Sequence, residues 1–155
     1  MKIFYGLDRV GEHVIFPKKN MSGGDMKQFL KVMKALSDSN RVKIVKLLQH
    51  RSLCVCELTE ALGLAQPTVS KHLKALEEAG LVQSIKSEKW VDYFLSDGGE
   101  TPFAATLLGN LRHWLDNDKE IASMVEMLPN IRREIICGRK IHQDMGRISK
   151  MYSDL

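Results

Sequence analysis

The sequence has few cysteines, prolines and glycines and no long apolar run, and each shortage excludes a class of protein. Among its 155 residues there are three cysteines, an odd number that argues for reduced thiols and against a disulfide framework. No apolar run approaches the length of about eighteen residues that would cross a membrane, and residues 1–9 lack the apolar stretch of a secretory signal. Only 4 prolines and 11 glycines are present, which excludes collagen-like chains. We therefore expect a cytoplasmic globular protein.

The charge balance leaves a polyanionic partner open. Charged residues make up 27% of the chain and hydrophobic residues 44%, which is the ordinary composition of a globular domain. The net charge of +4 permits binding to a nucleic acid but does not require it.

Hydrophobic spacing predicts a mostly helical chain in three parts. Residues 1–24 form an arm whose structure the sequence does not predict. Residues 25–116 form the main domain, in which residues 25–36 make one helix and Asp38 caps a second. Residues 117–155 form a C-terminal helical extension.

The segment between Leu53 and Val82 has the pattern of a helix-turn-helix. A short helix ends near Leu62, Gly63 supplies the left-handed turn, and Pro67 opens a new helix with Gln66 as its cap. We expect this second helix to end at Gly80.

The second helix separates into two faces. Val69, Leu73 and Leu76 share one face, which we expect to point to the core. The opposite face suits phosphate and base-edge contacts in a major groove, although a solvated face of a helical hairpin would look the same. Its polar residues, together with those of the first turn, are Gln66, Thr68, Ser70, Lys71 and Lys74.

A predicted β-hairpin follows the helix-turn-helix. It favours a DNA-binding domain over a helical hairpin with a solvated face. Residues 81–85 and 89–95 read as two strands, which together form a wing. Lys86 and Lys89 at its tip are expected to contact phosphates, whereas Trp90 and neighbouring aromatics are expected to pack.

These motifs resemble a known family. Residues 35–41, 53–58, 66–73 and 89–95 together resemble the ArsR/SmtB winged-helix metalloregulatory repressors, over roughly residues 26–115. The resemblance implies a mainly α fold with a small β-hairpin wing, a winged helix-turn-helix. It also implies a homodimer that binds palindromic double-stranded operator DNA, without a required cofactor, and is released by a thiophilic metalloid.

Within the family the sequence is most similar to the arsenical-resistance repressors, because of the segment Leu53-Cys54-Val55-Cys56. Thiolates select soft ions, and a cysteine near a helix N-terminus is expected to have a lowered pKa. Residues i and i+2 of a helix lie about 200° apart, so both sulfurs can share an ion only if this first turn is extended or unwinds. The alternative is that both cysteines are small buried hydrophobes.

A third sulfur for arsenite is harder to find. Many arsenical repressors resemble this segment but carry a third cysteine where this chain has Thr59. Cys137, on the predicted last helix, could complete the site or could pack at a helix edge. The zinc site that some family members build on the dimer helix is not matched, since residues 103–120 offer only His113, Asp116 and Glu120.

The chain beyond the wing is predicted to form a dimer helix and an extension. Thr101 caps the dimer helix, whose apolar stripe is either an interface or intrachain core. Asp118 starts a short helix and Pro129 the last one. The stripe consists of Phe103, Leu107, Leu111 and Trp114, and the solvated face of the last helix is predicted to carry Arg132, Arg133, Arg139 and Lys140.

Three functions can be compared on the basis of these residues. A repressor released by arsenite at Cys54 and Cys56 is favoured. A thiol enzyme is not, because Cys-x-Cys lacks the spacing of a thioredoxin-like site and no phosphate loop is present. A redox-sensing or cadmium-, zinc- or lead-sensing regulator of the same fold is the alternative.

Overall fold

The computed structural model describes residues 23–87 and 89–136. Most of the N-terminal arm, Cys137 and the rest of the C-terminal extension lie outside these residues. The fold is mainly helical with one small antiparallel sheet, as the sequence predicts. In chain order the elements are α1 Gly23–Leu36, α2 Ser39–Leu48, β1 Leu53–Cys54, α3 Val55–Leu62, α4 Gln66–Glu78, β2 Val82–Ser87, β3 Trp90–Leu95, α5 Pro102–Leu111, α6 Lys119–Met127 and the 3-10 turn Leu128–Asn130.

Short polar side chains begin the helices where the sequence predicts them. Asp38 accepts a hydrogen bond from the backbone N–H of Arg41 at 3.0 Å, and Thr101 accepts one from Ala104 at 3.0 Å. Asp118 accepts from the first turn of α6 in the same way. Each cap satisfies N–H groups that would have no partner within the helix.

The start and end of α4 differ from the prediction by one or two residues. Gln66 is not the cap: Ala65 occupies that position, and its carbonyl accepts from the N–H of Thr68 at 2.9 Å. Pro67 is tolerated because first-turn N–H groups lack helical partners anyway. The helix ends at Glu78, before Gly80 turns the chain with φ +73°.

The helix-turn-helix packs on a continuous core. Gly63 has φ +63°, the left-handed conformation expected of it. Val69, Leu73 and Leu76 are completely buried, as predicted, and join the cluster formed by α2 and α3. The core therefore fixes which face of α4 looks outward.

The wing has an additional strand that the periodicity does not reveal. β2 and β3 pair as an antiparallel hairpin, and the two-residue β1 pairs with the other edge of β3. In this register Leu53 lies opposite Tyr93 and Cys54 lies opposite Asp92. The cysteine segment is thereby attached directly to the wing.

A buried lysine ties α2 to the end of α5. The Lys46 side chain is only about 3% exposed, and its Nζ donates to the carbonyls of Leu111 and Trp114, both at 2.9 Å. It also pairs with Asp116 at 2.7 Å. Cations are favoured beside the carbonyls that end a helix, which explains this arrangement.

The C-terminal extension departs from the prediction at its start. Pro129 lies in a 3-10 turn, and helical backbone resumes at residues 133–136. Ile131 and Ile136 are buried in the main core. Within the part of the chain that the structure describes, no helix has the length and apolar character to span a membrane.

Candidate functional site

The polar face of α4 is open to solvent along its whole length. Ser70, Lys71 and Lys74 are exposed, and so are Gln66 and Thr68 in the first turn. The first turn contains no acidic residue, so the positive end of the helix dipole there can attract an anion.

The wing is held against α4 by a hydrogen bond from the Ser84 hydroxyl to the Glu77 carboxylate. Lys86 and Lys89, on either side of the hairpin tip, are both exposed. Trp90 and Tyr93 pack against the core instead, as expected. The wing that carries these lysines thus packs beside α4, which carries the polar face.

The two cysteines of the Cys-x-Cys segment lie side by side. Cys54 ends β1 with an extended backbone (φ −84°, ψ 168°), and Cys56 is the second residue of α3. Their sulfur atoms are 2.7 Å apart, without a disulfide bond, and the residues are 2% and 8% exposed. The Cys-x-Cys spacing requires either an extended backbone at Cys54 or an unwound first turn if both sulfur atoms are to share an ion. The structure has the extended backbone, so the two sulfur atoms are adjacent without unwinding of α3.

The expected lowering of the Cys54 pKa is wrong. Burial raises the pKa of the Cys54 thiol, and the Glu57 carboxylate raises it further. The contact with the Cys56 thiol and the backbone N–H of Glu57 act in the opposite direction but do not prevail. Burial thus favours the protonated thiol of Cys54 over its thiolate.

Glu57 is the polar centre of the site. Its side chain is about 3% exposed, its Oε2 accepts from the backbone N–H of Cys54 at 2.9 Å, and its Oε1 accepts from Arg51 Nη1 at 2.9 Å. The N–H of Glu57 faces the Cys54 sulfur in return, so the two residues form a capping box with cysteine in the place of serine or threonine. Glu57 is not among the residues predicted for the site, although its position three residues after Cys54 is typical of a capping box.

Two arginines complete the site, and no local pattern marks them. Arg51 Nη2 donates to the carbonyl oxygens of Ile131 at 2.6 Å and Leu128 at 3.3 Å. Arg133 Nη2 lies 2.7 Å from Asp92 Oδ1 and 3.9 Å from Glu57 Oε2. The solvated position predicted for Arg133 is therefore wrong, whereas Arg132 is exposed as predicted.

The other candidate ligands lie elsewhere. The hydroxyl of Thr59 donates to the carbonyl of Val55 at 2.8 Å, back along its own helix. Asp116 pairs with Lys46, and Glu120 pairs with Lys43. Over residues 23–87 and 89–136, no group of three or more His, Cys, Asp or Glu side chains could hold a metal ion.

Comparison with known proteins places the segment just described in a family. Residues 38–84, which contain both cysteines and α4, match the family described as "Bacterial regulatory protein, arsR family". The chain is 37% identical over 81 residues to the cadmium resistance transcriptional regulatory protein CadC of Listeria innocua, covering 52% of this chain and 68% of that protein. The chain belongs to the arsR family.

A second relative of this ArsR-family protein is the arsenic resistance transcriptional regulator ArsR1 of Pseudomonas putida. The two are 43% identical over 77 residues, which is 47% of this chain and 60% of that protein. The chain thus spans less than two thirds of the length of this relative.

A solved structure confirms the fold. A homodimeric winged helix-turn-helix DNA-binding domain, Mb0332 from Mycobacterium bovis, superposes with a TM-score of 0.53 at 24% identity. The match covers 68% of this chain and 94% of that one. The winged helix-turn-helix that the sequence predicts is the fold of this ArsR-family protein.

Proposed function

We propose that this protein is a transcriptional repressor that binds double-stranded operator DNA as a homodimer and is released when arsenite binds Cys54 and Cys56. The observation that carries the proposal is the pair of buried sulfur atoms 2.7 Å apart, at the start of the first helix of the helix-turn-helix. The names of the arsenic and cadmium relatives support it.

DNA binding is supported by the exposed surface of α4 and the wing. The first turn of α4 offers a positive dipole end and short polar side chains, and Lys71 and Lys74 follow on the same face. Such a helix end can enter a major groove, while Lys86 and Lys89 on the wing reach the phosphates. Gln66, Thr68 and Ser70 are the candidates for base-edge contacts.

A second copy of the chain is the partner that the exposed apolar residues fit. Met26 and Leu30 on α1 are 59% and 55% exposed, and Trp114 after α5 is 52% exposed. Phe29 and Phe103 join the two helices through an edge-to-face contact with ring centres 5.4 Å apart. Pairing this surface with its own copy would bury it and would place two α4 helices on a palindromic site.

The burial of Cys54, which favours its protonated thiol, suits arsenite better than a divalent cation. Arsenous acid, As(OH)₃, condenses with two thiols to form two As–S bonds, and each thiol proton leaves with a hydroxyl group as water. A cadmium ion instead requires thiolates and expels their protons into solution, which costs more where burial raises the pKa. Two soft sulfur donors in one buried place fit both ions, so affinity depends on this proton balance.

Release from DNA follows from how the cysteines are attached. α3 begins immediately after Cys54 and ends at Leu62, and three residues separate it from α4. Cys54 also pairs with Asp92 of the wing strand β3. Bonds to arsenic that shift Cys54 relative to Cys56 would therefore move both DNA-binding elements.

Cys137 is proposed as the third sulfur ligand. It lies outside the described residues, and the proposal rests on the sulfur count: arsenite prefers three sulfur ligands, and Cys137 is the one cysteine of the sequence besides Cys54 and Cys56. X-ray absorption of the arsenite complex, prepared without small thiols, should count three sulfur neighbours in the wild type and two in Cys137→Ser. Equal counts in the two proteins would exclude Cys137.

The experiment that tests the proposed function follows DNA release during three titrations. A duplex selected from a random pool by the wild-type protein is incubated with it, and arsenite, cadmium or hydrogen peroxide is added. Release by arsenite at the lowest concentration, with little change between pH 6 and 8, supports the proposal. Release by cadmium alone would identify a cadmium sensor.

A redox sensor is the second candidate, and the contact between the two sulfur atoms favours it. Peroxide would take two electrons and two protons from the thiols, forming one S–S bond and two molecules of water. Release by peroxide that a dithiol reductant reverses, with no response to arsenite, would replace the arsenite proposal by this one.

A further inference from the structure

We infer that Arg51 and Arg133 are positioning residues of the arsenite site, and that they act through Glu57. The inference rests on the proposed function, because it concerns the same two cysteines. It makes the C-terminal extension part of the sensor, since the extension contributes Arg133 and the backbone groups that hold Arg51.

Glu57 sets the separation of the two sulfur atoms. Its carboxylate accepts the N–H of Cys54 and thereby holds the extended backbone that precedes α3. This backbone conformation brings the sulfur of Cys54 beside that of Cys56. A different conformation at Cys54 would turn its side chain away from Cys56 and would separate two of the ligands.

A carboxylate as buried as that of Glu57 needs a cation. An unpaired buried charge is costly, so the Glu57 side chain stays in place only while its partners do. Arg51 is the nearer partner at 2.9 Å, and Arg133 lies at 3.9 Å. Both arginines are thus required for the orientation of a group that itself orients Cys54.

The arginines in turn depend on the extension and the wing. Arg51 is anchored by the carbonyl oxygens of Leu128 and Ile131, and Arg133 by Asp92. Asp92 is the residue of β3 that lies opposite Cys54. Arg133 lies outside residues 38–84, the segment that matches the family.

The test compares arginines that differ in their contacts. Arg133→Gln and Arg51→Gln are set against Arg132→Gln, which removes the same charge from an exposed neighbour. Arsenite binding to the full chain is measured by calorimetry without small thiols, and affinity for the selected duplex by fluorescence anisotropy. We expect arsenite affinity to fall about 10- to 100-fold in the first two variants, as it does when groups that orient ligands are removed. Arg132→Gln should bind arsenite like the wild type.

Two further readouts separate positioning from a loss of structure. Affinity of the arsenite-free variants for DNA should be unchanged, and Arg133→Lys, which keeps a cation beside Asp92 and Glu57, should recover most of the arsenite affinity. A parallel loss of DNA affinity, without rescue by lysine, would overturn the inference. So would an equal loss in Arg132→Gln.

Cys54→Ser distinguishes this inference from the proposed function. If Cys54→Ser loses arsenite binding while both arginine variants bind like the wild type, the inference fails and the proposed function stands. If Cys54→Ser itself binds arsenite like the wild type, the proposed function fails. Arg133 lies at the edge of the network, so its glutamine variant decides the outcome even where Arg51→Gln does not fold.

Discussion

The proposed DNA surface and the cysteine site are built in opposite ways. The polar face of α4 consists of exposed residues within one short stretch, 66–74, and its neighbours in space are its neighbours in sequence. The cysteine site is buried and combines groups from Arg51 to Arg133. A substitution on a local surface leaves its neighbours in place, whereas a substitution in a buried network alters the contacts of residues that are distant in sequence.

This difference separates the expected effects of substitution. Exposed lysines on α4 make few contacts within the chain, so replacing them should alter DNA affinity alone. Around Cys54 the polar groups are partners of one another through hydrogen bonds and ion pairs. The central carboxylate of Glu57 is nearly inaccessible to water. Substitutions there should alter the response to arsenite and, for the charged groups, stability as well.

The largest effect is expected from the cysteines themselves. Cys54→Ser or Cys56→Ser should abolish release of DNA by arsenite, because a serine hydroxyl is a hard and much poorer ligand. DNA binding should remain, since neither sulfur lies on the polar face of α4. The measurement is anisotropy of the labelled duplex during an arsenite titration.

Thr59→Ala is the matched control for these variants. Its hydroxyl bonds to the carbonyl of Val55 and not to the cysteines, so the arsenite response should be retained. A cysteine variant that still releases DNA at the wild-type arsenite concentration would place the inducer site elsewhere.

The next largest effect concerns a close approach between α5 and the loop that joins it to the wing. Gly98 has φ +78°, and a Cβ there would lie 2.4 Å from the Cα of Ala105 in α5. The left-handed backbone and the overlap together should lower the free energy of unfolding by about 2–5 kcal/mol in Gly98→Ala. Urea denaturation at a fixed protein concentration measures this loss.

Gly109→Ala, within α5 itself, is expected to have the opposite effect on stability. A Cβ at Gly109 meets no atom within 4 Å, and alanine is the better helix former by about 1 kcal/mol. This variant should therefore be slightly more stable than the wild type. Equal stability of the two variants would show that the contact at Gly98 does not constrain the fold.

The sequence predicts local features, such as the proposed DNA surface, better than the cysteine site, which combines residues that are distant in sequence. The helix-turn-helix, the wing and the buried face of α4 follow from local spacing, and the caps at Asp38 and Thr101 from residue type. The strand β1 escaped prediction because its two residues are too short to show a period.

The cysteine site could be predicted only in part. The Cys-x-Cys spacing identified the sulfur pair, but the pKa of Cys54 depends on burial and on Glu57, which only the folded chain brings together. Arg133 was assigned to a solvated face because its partners, Asp92 and Glu57, lie far away in sequence. Contacts of this kind leave no periodic signal.

A moderate effect on DNA affinity is expected from Lys71→Ala. Lys71 is exposed near the start of α4, where a side chain can reach a base edge or a phosphate. Removing it should weaken binding by about tenfold, which corresponds to ~1.4 kcal/mol. The arsenite concentration that gives half-maximal release should change little, since the cysteine site is untouched.

Lys119→Ala is the matched control, because it removes the same charge from an exposed position on α6. If it weakened DNA binding as much as Lys71→Ala, the loss would reflect net charge and not a contact made by α4.

The smallest effect is expected at the wing. Lys86 lies near the hairpin tip, exposed and outside the helix that enters the groove, so it is expected to contribute only a phosphate contact. Lys86→Ala should weaken DNA binding by about threefold, or ~0.7 kcal/mol, and equally for all sequences. The slope of log K against log salt concentration should fall by about one unit per subunit, because each lost phosphate contact retains the counterions it would have released. Anisotropy titrations at several salt concentrations measure both quantities.

An unchanged slope would exclude the wing from the DNA surface. Unchanged affinity in both Lys86→Ala and Lys71→Ala, with the fold intact, would exclude the whole proposed DNA surface.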